Sequence, residues 1–335
     1  MKPSLRKTFT ALVVVILVAL QAACAAAPLP SPTPEIPGNP RPAGTLGDST
    51  HSPTPALLWT RTPTPYRPPT ETPTITPTLT ATPRPTLAPN AWMNLPVIPA
   101  EISQAVLETY ARGLELGNNP QAFSKIGDCE AVANWFLKDF DLGERFYTLG
   151  EYAGLQPVID YYKGSFQRES LAAKAGFTAA SALSPLWADY YKCEKNETPL
   201  ECEYRVHKPS LAFIILGTND YNHRATFEPN LRQVVERSLE LGVVPVLVTK
   251  ADNLEGDNSL NATIAAIANE YDVPLWNYWA AVQGLPNQGL QEDKAHLTWA
   301  PNQFDNVANL QYAWPVRNLN ALQTLELIKN SLPTP

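Results

Sequence analysis

The unbroken apolar run 211–216 and the largely apolar run 243–249 constrain the fold of this chain more than any other feature. A run that is apolar on both faces suits a strand covered on both sides, as the strands of a parallel sheet are. Pro245 falls near the start of the second run. Between the runs, residues 230–241 have helical spacing and close on Gly242. Shorter strand-like segments lie on either side, at 122–126 leading into Gly127 and at 273–277. Helical spacing also marks 101–116 (Ile102, Val106, Leu107, Tyr110, Leu114), 131–140, 155–162, 260–271 and 316–331. Residues 166–186 read as irregular to helical. Strands alternating with helix-length crossovers predict an α/β fold, a three-layer α/β/α sandwich around a mainly parallel sheet. Ligands bind such sheets outside the carboxyl ends of the strands.

The fold prediction concerns residues 91–335 only. Residues 1–27 read as an export signal: Lys2, Arg6 and Lys7 precede the apolar run 11–20, and small residues follow. That run is short for a spanning helix of ~20 residues. Two processing routes are open. Ala22-Ala23-Cys24 resembles a bacterial lipobox that would lipidate Cys24, although Leu20 lies one place early and Gln21 holds the usual aliphatic site. Ala-x-Ala cleavage near Ala25 or Ala27 is the other. Residues 28–90 hold eighteen of the 34 prolines, many in Thr-Pro alternation. Proline removes a backbone donor and fixes φ, so this stretch predicts a disordered or extended spacer without ladder or helix. At ~3.1 Å per residue its reach is on the order of 200 Å. His51 lies within it and is expected to play no catalytic part.

Without the seven basic and three acidic residues of the first 90, the domain carries 18 basic and 29 acidic residues, a formal charge of −11. That charge argues against nucleic acid and anionic membrane surfaces as partners. Membrane contact is expected only through an N-terminal lipid or an uncleaved anchor, and a monomer is expected. Export permits a disulfide. Cys193 and Cys202 flank the polar stretch 194–201 and are the natural pair, which leaves Cys129 as a thiol. HExxH, CxxC and glycine-rich phosphate loops are absent from the sequence, so no metal or cofactor is expected.

Three short blocks follow strand-like segments. Gly127-Asp128-Cys129 stands between a predicted strand and a predicted helix. Glycine allows a sharp turn there, and helix N-terminal amides favour the thiolate, the reactive form of cysteine. Buried cysteine is, however, often only a packing residue. Gly217-Thr218-Asn219-Asp220 ends the first long apolar run; the bland alternative is an ordinary polar turn. Asp293-Lys294-Ala295-His296 supplies a carboxylate that can orient an imidazole three residues on, or else a surface turn.

In order and content these blocks resemble the SGNH (GDSL) hydrolases, a family of esterases and acylhydrolases. The first block departs from the family pattern, with Cys129 in the place of serine. The resemblance implies a flavodoxin-like sheet, with Cys129 as nucleophile, His296 as base and Asp293 as its orienter. It also implies an oxyanion hole made of the Cys129 N–H, the Asn219 side chain and a glycine N–H, for which Gly176 is the first candidate and Gly164 the second. His223, just after Asn219, is a candidate substrate contact, whereas His207, in a loop bearing Cys, Lys and Arg, reads as solvated. Trp276, Trp279, Trp299 and Trp314 make either a sugar or acyl platform or plain core. The expectation is an exported, surface-tethered bacterial hydrolase of ester bonds, acting on an ester-bearing small molecule or an acylated polysaccharide. The alternative is an inactive module of the same fold that binds glycan or acylated polymer at the cell surface.

Overall fold

In the computed structural model, which describes residues 85–333, four parallel strands stand side by side. Their order is β1 (Asn119–Gly127), β2 (Pro209–Ile215), β3 (Val244–Val248) and β4 (Leu275–Trp276). The expected export signal, Cys24 and the spacer up to residue 84 lie outside the described residues. On the other side of β1, Gly127 forms an isolated parallel bridge with Ala173. The Gly127 N–H donates to the Ala172 carbonyl and the Lys174 N–H to the Gly127 carbonyl, both at 3.0 Å. Counting that bridge as a vestigial second strand, the spatial order in chain sequence is 2-1-3-4-5. The chain therefore switches direction across the sheet at β1, and a crevice opens at the carboxyl end of β1.

Alternation along the strands sorts the core into two halves. Phe123, Leu211, Phe213, Val244, Val246 and Trp276 face one layer, which holds α1 (Gln104–Glu115) and, at the other end of the chain, the helix Ala313–Ser331. Ile126, Ala212, Ile214 and Leu247 face the other layer, formed by α2 (Pro199–His207), α3 (Arg224–Glu240) and α4 (Ser259–Glu270). The Ala313–Ser331 helix is α5. The result is a three-layer α/β/α sandwich with a mainly parallel sheet. Among the described residues no helix is long and apolar enough to cross a membrane.

Local chemistry sets the element ends. The Ser103 hydroxyl caps α1 by accepting from the Val106 N–H at 3.3 Å. Gly113 of α1 and Gly242, just before β3, meet backbone to backbone: a Cβ on Gly113 would lie 2.0 Å from the Gly242 carbonyl oxygen. Pro245 is tolerated inside β3 for a directional reason. The N–H groups of Leu247 and Thr249 donate toward β4, to the Pro274 and Trp276 carbonyls. Pro245 points the same way one step earlier, where the β4 register has not begun. Pro229 likewise sits within α3 on its exposed face, so α3 starts earlier than the predicted residue 230.

Two expectations need correction. The helix predicted over 131–140 does not form; a 3-10 turn (Ala133–Trp135) and a single helical turn (Asp139–Leu142) stand there, with Leu137 at φ 68° between them. Contacts from α5 take the backbone groups that a helix would have used. Arg317 donates to the Trp135 carbonyl at 2.6 Å, Trp314 donates to the same oxygen, and the Leu137 N–H donates to the Asn318 side chain at 3.3 Å. In the other case, residues 199–207, taken as part of a loop, form α2. Thr198 and Glu201 make a reciprocal capping box around Pro199 at the first position. His207 ends this helix 3.6 Å from Glu203 and is not a solvated loop residue.

Candidate active site

The first block turns sharply at the end of β1. A Cβ on Gly127 would lie 2.0 Å from the Ile215 carbonyl oxygen and 2.9 Å from Ala131 Cβ, so only glycine fits between β1 and β2 here. Asp128 is buried, and its carboxylate accepts the Glu130 N–H at 2.9 Å. Burial first, and then the Glu130 charge, hold the Asp128 carboxyl well above its ordinary range. Cys129 is 8 % exposed and lies outside any disulfide. Because the following residues form turns, no helix N-terminus backs its sulfur. Glu130 pairs with the buried Arg317 of α5, whose guanidinium lies 4.9 Å from the Phe136 ring centroid.

The second block follows β2 as a 3-10 turn, Thr218–Asp220, and each residue of that turn is tied down. Thr218 donates to Asp252 at 2.8 Å. Asn219 donates through its side-chain amide to the Phe177 carbonyl at 3.2 Å. The Asp220 carboxylate accepts the Ala179 N–H at 3.1 and 3.2 Å. Burial raises the Asp220 carboxyl to about 6, against the opposing pull of the Ala179 N–H. Beneath the turn, the Lys250 ammonium is buried between Asp252 (2.8 Å) and Glu255 (2.6 Å).

The two candidate glycines differ in their surroundings. The bridge at residues 172–174 holds the segment against β1, and Asn219 and Asp220 hold it at 177–179. Gly176 lies between these anchors. It is exposed, has φ +82°, and a Cβ there would meet no atom within 4 Å. Among the described residues, no acceptor takes its N–H. The Gly164 N–H, by contrast, already donates to Asp141 at 2.7 Å.

The third block is a closed local turn. One Asp293 carboxylate oxygen accepts the N–H groups of Ala295 and His296, each at 3.0 Å, and the other lies 2.5 Å from His296 Nδ1. Burial acts to raise the Asp293 carboxyl, but the His296 ring and the two N–H groups outweigh it and leave the carboxyl below its usual range. With Nδ1 directed at the carboxylate as donor, the neutral ring carries its lone pair on Nε2. A small cleft of about 20 Å³ lies at the ends of β2 and β3, lined by Thr218 and Ala295 of the second and third blocks and by Glu130 beside the first; Cys129, Gly176, Asn219, Asp293 and His296 do not line it. Glu130, Thr218, Ala295 and Leu297 line it, each next in sequence to Cys129, Asn219 or His296.

His223 is exposed at the start of α3, and its backbone N–H donates to the Asp220 carbonyl of the second block at 2.7 Å. Trp276 and Trp314 are buried in the core, and Trp279 packs edge-on against Trp92 at 4.9 Å; Trp299 remains 44 % exposed. Cys193 and Cys202 form a disulfide with Cα atoms 5.3 Å apart. The one group with metal-ligand spacing among the described residues is Cys193, Glu197 and Cys202, and its sulfurs are both in that disulfide. Sequence reasoning passed over Lys250, Asp252 and Glu255. Their signal was a polar cluster directly after an apolar strand. Arg317, inside a helix, carried no signal.

No protein-family model matches this chain, and no curated protein matches it in sequence. Among solved structures it is similar to a lipolytic protein of the G-D-S-L family from Desulfitobacterium hafniense, at 13% identity and a TM-score of 0.38, over 61% of this chain and 99% of that one. It is similar to a psychrotrophic esterase from a Pseudoalteromonas species at 16% identity and a TM-score of 0.39, over 63% of this chain and 99% of that one. A catalytic variant of an acetylxylan esterase from Geobacillus stearothermophilus is similar at 16% identity and a TM-score of 0.39, over 62% of this chain and 95% of that one.

Proposed function

We propose that this chain hydrolyses ester bonds with Cys129 as nucleophile. His296 Nε2 takes the thiol proton as sulfur attacks the ester carbonyl, and Asp293 stabilises the imidazolium that forms. The oxyanion is held by the Gly176 N–H, the Cys129 N–H and the Asn219 amide proton that is not given to Phe177. Collapse of the adduct expels the alcohol, which leaves with the proton from His296, and a thioester to Cys129 remains. Water, deprotonated by His296, attacks the thioester, and the acid departs as the sulfur recovers its proton.

The observation that best supports this reading is the Asp293–His296 pair, 2.5 Å from carboxylate to Nδ1, together with the bond from Asn219 to the residue after Gly176. Residues 127–129 and 217–220 follow β1 and β2 at the carboxyl end of the sheet, and sequence neighbours of Cys129, Asn219 and His296 line one cleft there, which supports the reading. Residues 1–90 support the further reading that the enzyme is exported and held at the cell surface. A binding module of the same fold is favoured by one observation: Cys129 stands between two acidic residues without a helix N-terminus behind it, a poor setting for a thiolate.

A panel of short acyl esters, offered to the full chain before and after alkylation of Cys129, separates the two. The expected result is turnover that alkylation abolishes and that Cys129→Ala also lacks. Turnover surviving both would sink the mechanism, and a parent inert on every ester would leave the binding module.

A further inference from the structure

Residues 184–195 carry the three most exposed large apolar side chains among the described residues: Leu186 at 94 %, Tyr191 at 93 % and Tyr190 at 89 %. Trp187 beside them is 44 % exposed. Clustered exposure of this kind marks an interaction surface. The loop is held firmly. The disulfide fastens Cys193 to α2, Arg205 of that helix donates to the Lys192 carbonyl at 3.0 Å, and the Asp189 carboxylate accepts the Tyr191 N–H at 2.8 Å. It is also continuous with the oxyanion side of the cleft. The Trp187 ring packs edge-on against Phe177 at 5.5 Å, and the Phe177 carbonyl is the acceptor of Asn219.

The chemistry of the loop selects its partner. The Tyr190 and Tyr191 rings are 5.5 Å apart and inclined at 81°, so they offer no common plane on which a sugar chain could stack. Leu186 has no π face at all. Exposed Leu, Trp and Tyr flanked by lysines instead match the boundary of a lipid bilayer, where rings rest at headgroup level and ammonium groups meet phosphates. The charge agrees. Asp189 and Glu194 balance Lys192 and Lys195, and the Lys174 ammonium, 5.6 Å from the Trp187 ring centroid, adds one positive charge. This patch is thus free of the acidic excess that gives the domain its −11.

We propose that the 184–195 loop docks the protein on a lipid bilayer, with Leu186, Tyr190 and Tyr191 entering the headgroup region. Docking stands by itself; only its placement beside a catalytic cleft rests on the esterase reading. The test uses the chain without its export signal, residues 28–335, so that neither an acyl anchor nor the apolar run 11–20 contributes, and flotation with phosphatidylcholine vesicles. Leu186→Ser, Tyr190→Ser and Tyr191→Ser combined should lower partitioning about tenfold or more. Leu186→Ser alone should lower it less, in the same direction. Trp187 is left in place because it packs on Phe177, and near-UV circular dichroism checks that the fold is kept. Equal partitioning of parent and triple variant overturns the proposal. So does retention of the parent on insoluble acetylated xylan that the triple variant loses while vesicle binding is unchanged. Turnover of a soluble short-chain ester by the parent is read separately; its absence sinks the esterase reading and leaves the vesicle result intact.

Discussion

The two sides of the cleft are held by different means. His296 is fixed by its own neighbourhood: Asp293, three positions earlier, grips its ring and its backbone N–H. Asn219 and Gly176 are fixed across the chain, by bonds from Asn219 and Asp220 to residues 42 and 41 positions away. A local turn depends on a handful of dihedrals. The oxyanion side depends on the packing of β1, β2 and the 172–179 segment against one another. Under the proposed mechanism, mutation at His296 should cost mainly chemistry, and mutation at Asn219 should cost chemistry and stability together.

His296→Ala gives the sharpest test of the base side. Ester turnover should fall on the order of 10⁴-fold, with a smaller shift in the urea midpoint than Asn219→Ala gives, since Asp293, which grips the ring, lies only three positions away. A midpoint shift as large as that of Asn219→Ala would break the contrast. Asn219→Ala should cost about 10²–10³ in kcat, the usual worth of one oxyanion donor, and should also lower the urea midpoint because the bond to Phe177 goes with it.

Asp220→Asn probes the same side through pH. Burial lifts the Asp220 carboxyl to about 6, so the native state keeps a proton that the unfolded chain releases near pH 4. That contribution is complete below about pH 4, declines as pH rises to about 6 and is flat above; the difference is on the order of 3 kcal/mol. The asparagine keeps an acceptor for the Ala179 N–H and removes the titration, so the fall in urea midpoint between these pH values should shrink. Parallel curves for parent and variant would remove Asp220 from this role. The smallest effect belongs to Gly176→Ala. Its Cβ meets nothing, so the cost is the left-handed backbone alone, about 1–2 kcal/mol in thermal unfolding. A stability loss well beyond that would mean that the segment is packed more tightly than its open surroundings indicate.

Much of the frame was legible in the chain. Residues 211–216 and 243–249 announced buried parallel strands, Asp293 and His296 announced a carboxylate–imidazole pair, and Cys193 and Cys202 announced their disulfide. The α2 helix was legible too, in Thr198-Pro199 with Glu201 three places after the cap, and was missed because its polar residues resemble a loop. The failed helix at 131–140 is of another kind. Its spacing is helical, but Arg317, Trp314 and Asn318, some 180 residues away, capture the backbone of Trp135 and Leu137. The tryptophans divide likewise: Trp276 went to the core, and the exposed aromatic surface fell to Trp187, Tyr190 and Tyr191.

The amino-acid order alone determined what neighbours within a turn or a strand can settle: periodicity, caps, tight turns, a short disulfide loop and the gripped histidine. Those features rest on dihedrals and contacts a few residues apart, and their energies hardly depend on what packs around them. Tertiary structure alone decided which glycine adjoins Asn219, which segment Asp220 holds, and that no helix stands behind Cys129. Each of these rests on hydrogen bonds or charges whose partners meet only after the layers have closed, in a dry interior where an unmatched polar group costs far more than it does in water.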